Sequence, residues 1–140
     1  MERGDRDAGV ATPVEMMYLV VFCLLAVLFM GFVGRLHAAG VEVANAAQSA
    51  ARAASMAPTP QAAGAAARSS VAASPLRDRC SGGPRVTTDW SPSPAGTWQG
   101  GAVTVVVSCA VPNHTLTGVW SSGSRTVRMR DTQPVDRYQR

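Results

Sequence analysis

The sequence predicts a membrane-anchored α+β fold. A long N-terminal helix, transmembrane in its first half and projecting in its Ala-rich second half, packs with a small three-stranded antiparallel sheet. Three observations predict it. Met16 to Val33 (MMYLVVFCLLAVLFMGFV) runs for eighteen residues without a charge, about the length that crosses a ~30 Å hydrocarbon core at ~1.5 Å per helical residue. The stretch from Ala38 to Ala57 is dominated by Ala, the best helix former. Beyond Pro75, Ala gives way to Thr, Val, Ser, Gly and Trp, and the apolar residues recur every second position, as they do in strands.

Residues 1–11 mix two Arg with three acids and two Gly, which predicts a disordered leader on the cytoplasmic side. Residues 12–57 form the transmembrane and projecting helix. Thr12 is placed as its N-cap, Pro13 at the first helical position, and Glu15 three residues after the cap as the capping-box partner. Glu15 also stands where the helix dipole favours an anion. Arg35 and His37 mark the far membrane edge, and the Ala-rich pattern then continues until Pro58 and Pro60 stop it. A continuous helix from Pro13 to Ala57 would be roughly 65 Å long. Its projecting half carries small residues on nearly every face (Ala39, Ala46, Ala47, Ala50, Ala51, Ala54). These suit close packing either against another subunit's helix or against the chain's own domain.

Residues 58–75 hold a second Ala-rich segment, Gln61 to Ala73, read as a shorter helix folding back and closed by Ser74-Pro75. Residues 76–140 are a small extracytoplasmic β-rich domain. Arg85 to Trp90 reads as a strand, and Ser91 to Gly101 as a loop with two Pro and three Gly. Ala102 to Val111 is the strongest strand, with Val103, Val105, Val107, Cys109 and Val111 alternating onto one face. Ser124 to Asp131 is the third, with Val127 and Met129 on its apolar face. Two layers, sheet on helix, follow.

Of the three cysteines, Cys23 lies inside the apolar run and behaves there as a small hydrophobe. Cys80 and Cys109 can bridge or stand as two separate reduced thiols. A bridge would close a loop of about thirty residues and stabilise a small core by roughly 3–4 kcal/mol. It would also require an oxidising compartment, placing the N-terminus inside the cell and the domain outside. Arginine counts on the two sides of the apolar run do not decide the orientation. Removal by signal peptidase is not expected: the n-region is net acidic, and Arg35 and His37 stand where a small-residue cleavage site belongs.

The net charge of +4 comes with thirteen Arg and no Lys, a pattern that reads as coding bias and scattered solubilising charge. Arg125, Arg128 and Arg130 form a small basic cluster, without the stacking aromatics and large patch of a nucleic-acid binder. Neither His37 nor His114 has a nucleophile or carboxylate in a catalytic pattern, and the Cys/His spacing of a zinc site is absent. No enzyme activity, cofactor, metal or nucleic-acid partner is therefore expected.

The order of features resembles the TadE-like family, bacterial pseudopilin-type components of tight-adherence (Flp, type IVb-like) pilus systems. The likeness rests on Arg6 to Glu15 (RDAGVATPVE), the apolar helix, Asn45 to Ala54 (NAAQSAARAA), then Cys80, Val103 to Cys109 and the late basic strand Arg125 to Arg130. The resemblance implies a role in pilus assembly beside other pilin-like subunits. It also implies a cut by prepilin peptidase after Gly9, leaving Val10 as the new N-terminus. Glu15 lies six residues after Gly9, one more than the family pattern, so a permanent uncleaved anchor is the alternative. In pilin-like assembly Glu15 would pair with the free amine of a neighbouring subunit, since a carboxylate at the lipid edge is costly alone. A second functional expectation is a membrane-tethered extracytoplasmic binding module outside any pilus, reading a surface ligand through Trp90, Trp98 and Trp120.

Overall fold

A computed structural model describes residues 12–118 and 122–138. The leader, with Gly9 and Val10, lies outside the described residues, as does Trp120. The element order is α1 (Pro13–Ser55), α2 (Pro60–Ala72), α3 (Leu76–Arg79), β1 (Arg85–Ser91), β2 (Ala102–Pro112), α4 (Asn113–Thr117) and β3 (Ser124–Pro134). The result is an α+β molecule: one long N-terminal helix, a shorter one folded back on it, and a three-stranded antiparallel sheet in the order β1-β2-β3.

Helix α1 starts where its capping residues dictate. The Glu15 backbone N–H donates to Thr12 Oγ1 at 3.4 Å, and the Glu15 carboxylate accepts from the Thr12 N–H at 2.9 Å. Both arms of a capping box are present, with Pro13 at N1 needing no donor. The helix continues unbroken for 43 residues, about 64 Å at ~1.5 Å per residue. Gly40 does not interrupt it, and the Met129 methyl lies 3.7 Å from where a Cβ would stand. The strand thus packs close to the backbone at that position. Thr59 caps α2 through its hydroxyl, which accepts from the Ala62 N–H at 3.2 Å.

Strand β2 is the centre of the sheet and alternates without a fault. Val103, Val105, Val107, Cys109 and Val111 are buried, and the residues between them are half-buried. The buried row meets Val43, Ala46, Ala47, Ala50, Ala51 and Ala54 of α1 and Ala63, Ala67 and Val71 of α2 in one core. Small residues on the helix and β-branched residues on the sheet let the two layers approach closely. Of the two uses open to the Ala face, the chain takes self-packing: these alanines are covered by its own domain. Trp98 closes the end of the core away from the apolar half of α1, its indole N–H donating to the Ala57 carbonyl at 2.9 Å.

Three features differ from the sequence-based expectation. Strand β3 runs to Pro134, three residues past Asp131, because β2 offers pairing partners along its whole length, ending with Ala102↔Pro134. Helices α3 and α4 are four and five residues long, too short to show a helical period in sequence; α4 occupies the Pro112-Asn113-His114 break. The basic cluster also divides. Arg125 pairs with Val111 on the helix-facing side of the sheet, whereas Arg128 and Arg130 pair with Ser108 and Val106 on the outer side. Arg85 of β1, opposite Ser108, joins them there.

Candidate functional site

The first half of α1 is almost without partners inside the molecule, and only Phe32, near its end, is partly buried against the core. Its most apolar eighteen-residue window has a mean hydropathy of 2.7, and none of that window is buried. Phe22 and Met30 are 71% and 73% exposed, part of a continuous exposed apolar surface of the kind that marks an interaction site. The helix is long and apolar enough to cross a membrane. Cys23 lies exposed on this half as a free thiol. Glu15 sits at the tip and is engaged in its own helix cap.

Cys80 and Cys109 are joined as a disulfide, 29 residues apart in sequence. Cys109 takes its place in the buried row of β2, and Cys80 follows α3, with the Ser81 N–H donating to the Ala110 carbonyl at 2.8 Å. The bridge therefore ties the segment leading into β1 to the end of the central strand, beside the Val43 turn of α1.

At that level the fold makes a cavity of about 440 Å³ between α1, α3, α4 and the end of β2. Its wall is apolar, from Val43, Leu76, Val111 and Leu116. Its rim carries Arg35, Glu42, Asp78, Arg79 and His114. Arg79 and Glu42 form an ion pair across the rim. Arg35 lies against Gly118, whose φ of 70° ends α4 in a left-handed turn, and a Cβ there would collide with the guanidinium. Asp78, His114 and Arg35 make no side-chain hydrogen bond or ion pair among the described residues.

This cavity was not legible in sequence, because its residues come from four separate segments. One trace existed: Leu76 and Leu116 are the only leucines beyond Leu36, and both are buried on its wall. On the other flank of α1 a shallower groove runs between Val33, Leu36, Val41 and the Val127 and Met129 side chains of β3.

Trp98 is buried, whereas Trp90 is 38% exposed and packs edge-to-face on it with ring centroids 5.7 Å apart. No group of three or more His, Cys, Asp or Glu able to hold a metal ion occurs among the described residues.

No family model, no curated protein and no solved structure matches this chain.

Proposed function

We propose that this chain is a single-pass membrane protein of the TadE-like kind. On this reading it is a non-catalytic assembly component or minor pseudopilin of a bacterial tight-adherence pilus. It acts by lateral helix packing in the membrane and by presenting a disulfide-stapled domain to partners outside the cytoplasm. The observation that carries the reading is the continuity of α1. One unbroken helix has an apolar half left almost wholly exposed, with only Phe32 packing on the core, and a small-residue half buried in the domain. A domain built this way stands on its anchor as a rigid unit, with no flexible linker between span and sheet. The disulfide supports an oxidising location for the domain, and with it an N-terminus on the cytoplasmic side, where prepilin peptidase would meet Gly9 and Val10. The resemblance of Arg6 to Glu15 and Asn45 to Ala54 to TadE-like text supports the pilus assignment.

Mass spectrometry of the protein extracted from alkaline-washed membranes tests this. The expected result is a membrane-retained chain with an intact helix. An N-terminus at Val10 identifies prepilin-type processing, and one at Met1 a permanent anchor. A soluble chain beginning near Ala47 overturns the proposal. Cross-linking in the native membrane is expected to capture pilin-like or pilus-assembly subunits.

A further inference from the structure

We propose that the end of the domain nearest the apolar run is an electrostatic seat on the bilayer surface, fitted to the headgroups of anionic phospholipids and made chiefly by Arg35 and Arg125. This deepens the membrane-anchored reading and rests on it. Three observations carry it.

The first is level. Phe32 belongs to the apolar run and is partly buried against the domain's core. Arg35 lies against Gly118 at the end of α4. The domain therefore reaches down to the last turn of the span, with no stalk between them. Headgroups occupy roughly 5–7 Å on each side of the hydrocarbon core, so a spanning α1 sets this end of the domain among them.

The second is the course of β3, which runs in the same direction as α1. Its Val127 and Met129 lie beside the α1 groove residues Val33, Leu36 and Gly40. Its far end pairs with Ala102, close to Trp98 and so to Ala57. Arg125 stands two residues before Val127, about 7 Å further along the strand toward the bilayer. It is exposed, because the core has ended at that level. Arg35 and Arg125 thus face the headgroup layer from two separate elements, and Arg128 and Arg85 stand in the next rank on either side of Ser108.

The third is a separation of sign along the molecule. Arginines occur at every level of the domain, but its acids, among the described residues, begin only beyond the headgroup layer. Glu42 lies nine residues past Val33, about 13 Å up the helix, and is paired with Arg79, the neighbour of Asp78. Asp131 lies six residues past Arg125, about 20 Å along the strand. Asp89 pairs with Thr104, which pairs with Thr132, and Asp136 follows β3. The end that meets lipid is therefore positive without an opposing carboxylate. Guanidinium groups pair with phosphate in bidentate geometry. An anionic headgroup brings that phosphate without the ammonium of a zwitterionic one, which would repel the arginines, and the attraction fades within a Debye length of the surface.

The test uses the full chain in lipid nanodiscs and has two arms. For position, a fluorophore is carried at Ser124→Cys or at Ser91→Cys, the opposite end of the sheet, in a Cys23→Ser background with the disulfide intact. Nitroxide-headgroup lipid is expected to quench the label at position 124 and to spare the one at position 91. Equal quenching of the two overturns the seat and leaves the anchor intact. For chemistry, native mass spectrometry counts the lipids retained from discs of equal phosphatidylglycerol and phosphatidylcholine. The wild type is expected to favour phosphatidylglycerol, and Arg125→Gln or Arg35→Gln to lower that preference about fivefold each. Arg52→Gln, nineteen residues beyond Val33, is the control and is expected to match the wild type. Inorganic phosphate at millimolar concentration is expected to change nothing that sodium chloride of equal ionic strength does not. A specific loss of lipid preference in phosphate overturns the bilayer as the occupant. An Arg125→Gln variant that keeps the full preference overturns the domain's part in the seat. A chain that fails to enter discs at all overturns the anchor and the seat together.

Discussion

At the residue scale, Glu15 carries two roles that one substitution can separate. Its carboxylate accepts from the Thr12 N–H within its own helix cap, and in the proposed assembly it also offers charge to a neighbouring subunit's amine. Glutamine at the third position of a capping box keeps the reciprocal hydrogen bond and removes the charge. Glu15→Gln is therefore expected to leave helix content, measured by circular dichroism in detergent, unchanged while reducing cross-linked complexes in the native membrane. If complexes form at wild-type yield, Glu15 is a cap and nothing more. Thr12→Ala is the converse change and is expected to cost about 1 kcal/mol of helix stability. Trp98 gives a second test inside the domain. Its indole N–H is the donor to the Ala57 carbonyl, so Trp98→Phe leaves a buried acceptor unpaired. Denaturant titration is expected to show a loss of about 1–3 kcal/mol, whereas Trp90→Phe removes no hydrogen bond from the indole and is expected to cost less.

At the scale of elements, the disulfide and the helix ends explain what could be foreseen. The bridge between Cys80 and Cys109 closes a loop of 29 residues, worth about 3–4 kcal/mol on chain-entropy grounds. Reduction, or Cys80→Ser with Cys109→Ser, is expected to lower the melting temperature of the domain by roughly 10 °C or more; an unchanged melt would show that the staple is idle. The long elements were legible because their signals are repeated. The capping box, the uncharged run and the Ala bias all agree on α1, and five alternating residues fix β2. The bounds of α2 differ by one residue from the reading of Gln61 to Ala73. What was hidden is what forms only by assembly. The extension of β3 to Pro134 is imposed by β2 as a template, and α3 and α4 are single turns held by tertiary contact. The cavity between α1, α3 and α4 joins residues as far apart as Arg35 and Leu116, a distance in sequence that no local pattern spans.

At the scale of the whole molecule, α1 divides into two functions at one level. Every buried apolar residue among the described residues lies at Val43 or beyond, and seven of the twenty (Val43, Ala46, Ala47, Ala50, Ala51, Ala54 and Ala57) come from the projecting helix and the turn just after it. The sheet therefore cannot complete its core without the projecting half of α1, and the apolar half adds only the partly buried Phe32 at its edge. Two fragments turn this into a measurement. A chain starting at Arg35 keeps all twenty buried residues and is expected to fold without detergent, with a cooperative thermal transition and a protected disulfide. A chain starting at Thr59 keeps the whole sheet and its disulfide but loses the alanine face. The exposed valines of β2 would then be an unpaired apolar surface, which drives association. It is expected to aggregate or to melt without cooperativity. A Thr59 fragment that folds cooperatively would mean that the sheet and α2 suffice as a core. The projecting helix would then be free to pack on another subunit, and the rigid coupling of domain to anchor, on which the proposed assembly role depends, would be lost.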